Sequence, residues 1–327
     1  MKLLYNLKRS TLILSLIIIS LISLLLFLLL HENTTTLSLP PGTVQVESQG
    51  AKGDGVTDDT SAIQSTIDNL SKNETGTVYL SSGKEYVITS TLTLKEGVQL
   101  KLGNNARLQV NGNFNAIELE KGASIKGGVI EIINSSFDSD VIRLNGENKY
   151  YGIWDSTEIK EVKIVNSVSN IQGTALSLYA NGPSHFISFI NFQDISISGF
   201  ETGVKLLTED PKNGEYSWIN GNRFQNFSME HCVNFIVLEG NVTIPHESSG
   251  NLFTDMQVQL DKSTETLLTI DGSDNRFDGV VWDVQTLSHS EPILFLTNQS
   301  YKNVIQFNLD PEYIYNEGEK NQLSSSK

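Results

Sequence analysis

Short segments of one pattern, two small or apolar residues, a variable position and then Leu or Ile, recur along the chain: Ala116–Leu119, Val141–Leu144, Ala175–Leu178, Gly203–Leu206, Phe235–Leu238, Leu267–Ile270 and Ile293–Leu296. Their last positions lie 25, 34, 28, 32, 32 and 26 residues apart. A period in this range means stacked supersecondary units, each burying its apolar face against the next, and excludes a single closed globular core. A second segment follows most of them: Asn222-Arg-Phe, Asn251-Leu-Phe, Asn275-Arg-Phe and a weaker Asn303-Val-Ile. If each repeat is one coil of parallel strands, equivalent residues stack about 4.8 Å apart. The asparagines are then expected to form a hydrogen-bonded ladder and the phenylalanines an aromatic stack.

Parity along the second segment sorts its two faces. With Phe192, Phe224, Phe253 and Phe277 inward, the positions three and five further on are also apolar, and this change from even to odd spacing predicts a bulge. On that register Trp282 belongs to the core, and Ser198, Glu230, Gln259 and Asp283 form one outward column. Glu230 and Asp283 would lie two coils apart, about 9–10 Å, near the separation of an inverting glycosidase pair, with Asp255 between them at the bulge. Glu230, Asp255 and Asp283 are therefore the candidate catalytic carboxylates. Arg223 and Arg276 share another outward column and could hold an acidic sugar. A solvated strand face accounts equally well for each of these charges.

Longer connections, Asn145–Lys160, Tyr179–His185, Leu207–Gly221 and Glu239–Gly250, all follow the Leu-ending strand and should gather at one corner, walling a groove. They carry Trp154, Tyr216 and Trp218, rings with a polar tip on which sugars stack, and these join the two arginines as candidate substrate-binding residues. Packing of the loops against the coil is the structural alternative.

The N-terminus is a separate physical object. Residues 1–10 hold Lys2, Lys8 and Arg9 and no acid, and residues 11–30 are an uncharged apolar stretch long enough, at about 1.5 Å per residue, to span a bilayer core of roughly 30 Å. The cations before it put the N-terminus inside and the remainder outside. A single transmembrane signal-anchor is expected. A cleaved signal peptide is the alternative, against which stand the length of the run and the absence of an A-x-A site. A linker at 31–42, a solenoid at 43–315 and a disordered tail at 316–327 complete the predicted organisation.

Between linker and repeats lies GAKGDGVTDDTSAIQSTID, residues 50–68. Thr57 reads as an N-cap, Asp58 and Asp59 as first-turn acids facing the positive end of a helix, and Ala62, Ile63, Ile67 and Leu70 as its buried stripe. This run resembles the N-terminal signature of the pectate-lyase-like superfamily, which includes rhamnogalacturonase/epimerase-like proteins, relatives of glycoside hydrolase family 28 and many phage tailspikes. The resemblance implies an all-β, right-handed parallel β-helix closed at one end by a capping helix. The polygalacturonase motifs Asn-Thr-Asp, Gly-His-Gly and Arg-Ile-Lys do not occur here, and the only Asp-Asp is the pair at 58–59. The pectate lyase Trp-x-Asp-His pattern is absent as well.

Charge bounds the partner. The chain carries a net charge of −15, and without the three cations of the first ten residues 20 basic residues face 38 acidic ones, a balance of −18. Nucleic acid is excluded as a partner, and a neutral or cation-bridged glycan is favoured over a free polyanion. One cysteine, Cys232, can close no internal disulfide, and no spacing of His and Cys suggests zinc. No metal or cofactor is assigned, with Ca²⁺ left open as the bridge to an acidic glycan. The expected protein is an extracytoplasmic, membrane-anchored β-helix that binds polysaccharide and could cleave it as a lyase or hydrolase. The alternatives are a non-catalytic surface solenoid and a tailspike-like module.

Overall fold

Alternation of apolar and polar residues at a repeat of about thirty produces coils of parallel strands, and the computed structural model, which describes residues 18–23, 39–72, 75–212 and 214–324, is built from them. The chain divides into two units, Met1–Pro41 and Gly42–Lys327. In the first, Ile18–Ser23 is helical with Ile18, Ile19, Leu21 and Ile22 exposed. Most of the expected transmembrane segment at 11–30 lies outside the described residues, and no helix among those described is long and apolar enough to cross a membrane.

In the second unit, the described strands form two all-parallel sheets of 16 and 13 strands. One coil runs from Thr202–Thr208 through the short strand Ser217–Asn220 to Arg223–Glu230, and then enters the next coil at Asn234–Glu239. Each strand pairs with its counterpart one coil on, as in the rows Val204, Ile236, Leu268, Leu294 and Phe192, Phe224, Phe253, Phe277. The protein is thus a parallel β-helix, its core a continuous column of Leu, Ile, Val and Phe running along the axis.

Both expected stacks are present. The Phe rings lie nearly parallel at centroid spacings of 4.6, 4.2 and 4.7 Å. The side-chain amides of Asn222, Asn251 and Asn275 donate one to the next at 3.0–3.1 Å, and the series continues through Asn303 to Asn321. Each amide also donates to a main-chain carbonyl, Ile187 O, Ile219 O, Ser248 O and Gly272 O in turn. The rungs Asn222, Asn251, Asn275 and Asn303 are completely buried, and the ladder satisfies groups that would otherwise be costly there.

Three expectations need correction. Residues 316–324 are part of the solenoid: Ile314–Asn316 pairs with Leu294–Leu296, Gln322–Leu323 pairs with Val304–Ile305, and Asn321 is the last rung. The cap helix is Thr60–Ser71 with Asp59, not Thr57, as N-cap. Asp59 is buried and accepts the amides of Lys52 and Gly53 at 2.6 and 3.0 Å, pinning the Gly-rich turn, while Asp58 accepts from Thr60 N and Thr89 Oγ1. Ile63, Ile67 and Leu70 bury the helix against the core.

The third concerns register. Asp194, Asn226 and Asp255 occupy the bulge with φ of 56–58°, a conformation Asn and Asp tolerate. The following strand lacks that extra residue: Phe253 pairs with Phe277, but Met256 already pairs with Gly279, where a Cβ would come within 2.3 Å of Met256 O. From there every side chain sits one step earlier than the repeat predicts. Trp282, assigned to the core from parity, pairs with Gln259 and is 53% exposed, and Asp283 falls beyond the strand in a left-handed turn with φ 59°.

Candidate functional site

The strands Lys163–Asn166, Asn191–Ser198, Arg223–Glu230, Leu252–Gln259 and Arg276–Trp282 present two outward columns at their C-terminal ends. One holds Lys163, Ser196, Ser228 and Gln257, and the other Val165, Ser198, Glu230, Gln259 and Trp282. Together they floor and wall an open cleft of about 420 Å³. The Trp282 ring is held at one end, its Nε1 donating to Gln257 Oε1 at 2.8 Å, and Ser198 Oγ donates to Glu230 Oε1 at 3.3 Å.

A second cleft of about 290 Å³ adjoins it, lined by Ser198, Glu230, His231, Gln259, Leu260 and Asp261. Glu230 borders both. His231, in the turn after the strand with φ 56°, places Nδ1 in contact with Asp261 Oδ2. Burial pulls the Asp261 carboxyl upward, but hydrogen bonds from Ser263 and the pairing with His231 outweigh it and hold the group below its ordinary value. A carboxylate that fixes an imidazole beside a second carboxylate is an arrangement able to move protons. Cys232 is wholly buried, its thiol pushed up to about 12 by desolvation, and is not a nucleophile.

Of the candidate catalytic and substrate-binding residues named from sequence, Glu230 alone lines these clefts. Asp283 is a neighbour through Gln259, whose Nε2 donates to Asp283 Oδ2 at 3.1 Å, but it is not in the Glu230 column. Asp255 sits at the bulge, level with Asn226 and four residues, about 13 Å, short of Glu230, and its N–H donates to Asp278. Arg223 and Arg276 stand at the opposite end of the strands, roughly 23 Å away, where Arg276 pairs with Asp278 at 3.4 Å and donates to Gln306. Trp154, Tyr216 and Trp218 belong to the corner that precedes the Asn ladder. There Trp218 stacks on Phe186 at 4.9 Å and donates to Ser188, and Tyr216 and Trp154 are 44% and 86% exposed.

Sequence reasoning placed Ser198, Glu230 and Gln259 in one outward column, as found, but missed Trp282, His231, Asp261 and the column Ser196, Ser228 and Gln257 as lining residues. The signal available in the sequence was the position two after each Phe, which is Asp194, Asn226 and Asp255 at the bulge but Gly279 on the last strand. It also missed a charged cluster on the other sheet, where Arg143 lies 3.6 Å from Asp140 and 5.0 Å from the Tyr179 ring centre, and Lys205 pairs with Glu239 at 3.0 Å. Burial raises the Asp140 carboxyl above its ordinary value against the pull of Arg143. Its cations are matched by adjacent acids, so it reads as an ion-pair network along the coils.

A parallel β-helix with an Asn ladder, a capping helix at its N-terminal end and an open cleft along one sheet defines a pectate-lyase-like solenoid. The chain belongs to the rhamnogalacturonase A/epimerase, pectate lyase-like family, whose sequence profile matches residues 43–258. Alginate lyase 7 of Azotobacter vinelandii is 38% identical over 113 residues, which are 34% of this chain and 12% of that protein, so the match spans a small part of the relative. Among solved structures, a surface adhesin of Streptococcus pneumoniae is similar with a TM-score of 0.49 and 14% identity, over 86% of this chain and 76% of the other. The A-module of the mannuronan C-5 epimerase of Azotobacter vinelandii is similar with a TM-score of 0.43 and 15% identity, over 86% and 95%.

Proposed function

We propose that this protein binds polysaccharide along the outward sheet face between Lys163 and Trp282 and cleaves it beside Glu230. The observation that carries the reading is the composition of that cleft: a row of hydroxyl and amide side chains, one carboxylate, one lysine at its edge and one fixed, exposed indole. Sugars are recognised by such hydroxyl and amide partners and by stacking of their C–H faces on aromatic rings. Glu230, with the imidazole of His231 held by Asp261, supplies an acid and a base to one bound glycan. Membership in the family and the partial likeness to an alginate lyase support carbohydrate as the ligand class. On this reading residues 11–30 anchor the chain in the cell membrane with the solenoid outside, or release it if that segment is cleaved.

A polysaccharide panel incubated with the protein tests this. Absorbance of unsaturated products identifies elimination, and new reducing ends without that absorbance identify hydrolysis. Either activity should fall by at least about a hundredfold in Glu230→Gln, the scale of one proton-transfer group. If turnover in that variant is unchanged, Glu230 is not the catalytic group. A second reading, a surface solenoid that binds without cleaving, is favoured by the absence of Asp255 and Asp283 from the cleft. Retained glycan binding without any product would establish it.

A further inference from the structure

We infer that the glycan this cleft takes is neutral, carrying no carboxylate or sulfate on the sugars that lie between Lys163 and Trp282. The inference rests on the reading of the cleft as a glycan site and names its ligand class. Among the described residues, two acids, Glu230 and Asp261, border the two clefts against one lysine. Lys163 is the single lysine or arginine lining them, and it stands on the first of the five strands. Glu230 occupies the middle of the floor, Asp261 is tied to His231 in the adjoining cleft, and Asp283 is hydrogen-bonded to Gln259 on the same floor. The two arginines that could have balanced them, Arg223 and Arg276, lie at the far end of the strands, and Arg276 is already paired with Asp278.

The uncharged groups point the same way. Ser196 and Ser228 each offer both a donor and an acceptor, as a sugar hydroxyl does, and Gln257 and Gln259 keep N–H and carbonyl capacity beyond their bonds to Trp282 and Asp283. A carboxylate only accepts, and on this floor it would face Glu230, which when ionised also only accepts. From the strand of Lys163 to that of Trp282 there are four coil steps, about 19 Å, enough for several sugars. A polyuronate would bring a carboxylate with each of them to a floor with one cation at its edge. The net charge of −15 on the whole chain adds repulsion at long range. Trp282 is fixed by its hydrogen bond to Gln257 and presents an apolar face, which suits a ring's C–H groups and offers a carboxylate nothing.

The test is a titration of the full chain, followed by tryptophan fluorescence. The probes are neutral hexasaccharides (β-1,4-glucan, α-1,4-glucan, mannan and galactan) and hexamers of galacturonate and mannuronate, each with and without Ca²⁺. A neutral hexamer is expected to change the emission, to lose that effect in Trp282→Ala, and to hold its affinity within about twofold between low and high salt, as an uncharged ligand should. Both uronate hexamers are expected to bind at least about tenfold more weakly. Gln259→Lys, which puts a cation on the floor, should raise uronate affinity by about tenfold. If a uronate hexamer binds the unaltered chain as tightly as any neutral one, through Trp282, the ligand class is wrong while the cleft remains a glycan site. If none of the sugars is sensed by Trp282, the cleft itself is not a glycan site and the inference falls with it.

Discussion

Trp282 Nε1 donates to Gln257 Oε1 at 2.8 Å across one coil, so the ring that walls the cleft is held by the floor beneath it. The bond matters because Trp282 is exposed and would otherwise rotate freely. Replacing Gln257 with Ala removes that restraint and one sugar-facing amide. Glycan affinity should drop several-fold, the scale of one hydrogen bond of about 1 kcal/mol, while the thermal midpoint stays close to that of the parent. Calorimetric titration beside a melting curve separates the two effects.

The Asn ladder bears on stability. Asn275 accepts from Asn251 and donates to Asn303, and its amide also donates to the carbonyl of the buried Ser248 on the strand His246–Ser249. Asn275→Ala would remove the acceptor of the buried Asn251 N–H and the side-chain donor to Ser248 O, and should destabilise the fold by about 2–4 kcal/mol in denaturant unfolding. Gln225, exposed on the strand that follows Asn222, is the control and its Ala variant should change stability by less than about 1 kcal/mol.

How far these features were legible depends on whether one residue type fills each rung. Asn222, Asn251 and Asn275, each two residues before a Phe, announced ladder and stack together, because burial and pairing admit few other side chains at those positions. Asn321 was missed since the final rung has Leu323 in place of Phe. Trp282 and Asp283 were misplaced because the strand that starts at Arg276 omits the bulge residue, and a single omission exchanges inside for outside. The cleft itself was not legible in the sequence. Serine and glutamine columns form it, and nothing in their identity distinguishes a binding floor from an ordinary solvated strand.

The last rung leads to a prediction opposite to that for a loose tail. Deleting residues 317–327 removes Asn321 and the strand Gln322–Leu323, leaving the amide of Asn303 and the edge at Val304–Ile305 unpaired. The truncated chain should melt at a lower temperature and show faster amide exchange over Val304–Gln306. An unchanged melting curve would mean that this rung adds nothing.

Acid should weaken the turn beside the site. Because the folded pKa of Asp261 is depressed, its contribution to stability is present above the unfolded aspartate value of about 3.9 and is lost as pH falls through the lower folded value. Asp58 and Glu131 are lowered in the same sense, by hydrogen bonds from Thr60 and Thr89 and from Ser167 and Gln109 that outweigh burial. Stability should therefore fall with pH in the acid range, and Asp261→Asn should flatten part of that slope. A variant with the parent's slope would show that the Ser263 and His231 contacts do not stabilise the charged form.

Two exposed tryptophans on different corners of the coil allow the central claim to be tested most directly. Trp282 walls the cleft that Glu230 borders, and Trp154, 86% exposed, lies on the loops before the Asn ladder. Glycan affinity should be measured by calorimetric titration for the parent, Trp282→Ala and Trp154→Ala with the same polysaccharide. The cleft assignment predicts a loss of at least about tenfold in Trp282→Ala, the scale of one stacked aromatic ring, and no change in Trp154→Ala. Binding that survives in Trp282→Ala and disappears in Trp154→Ala would place the glycan on the loops and contradict the assignment.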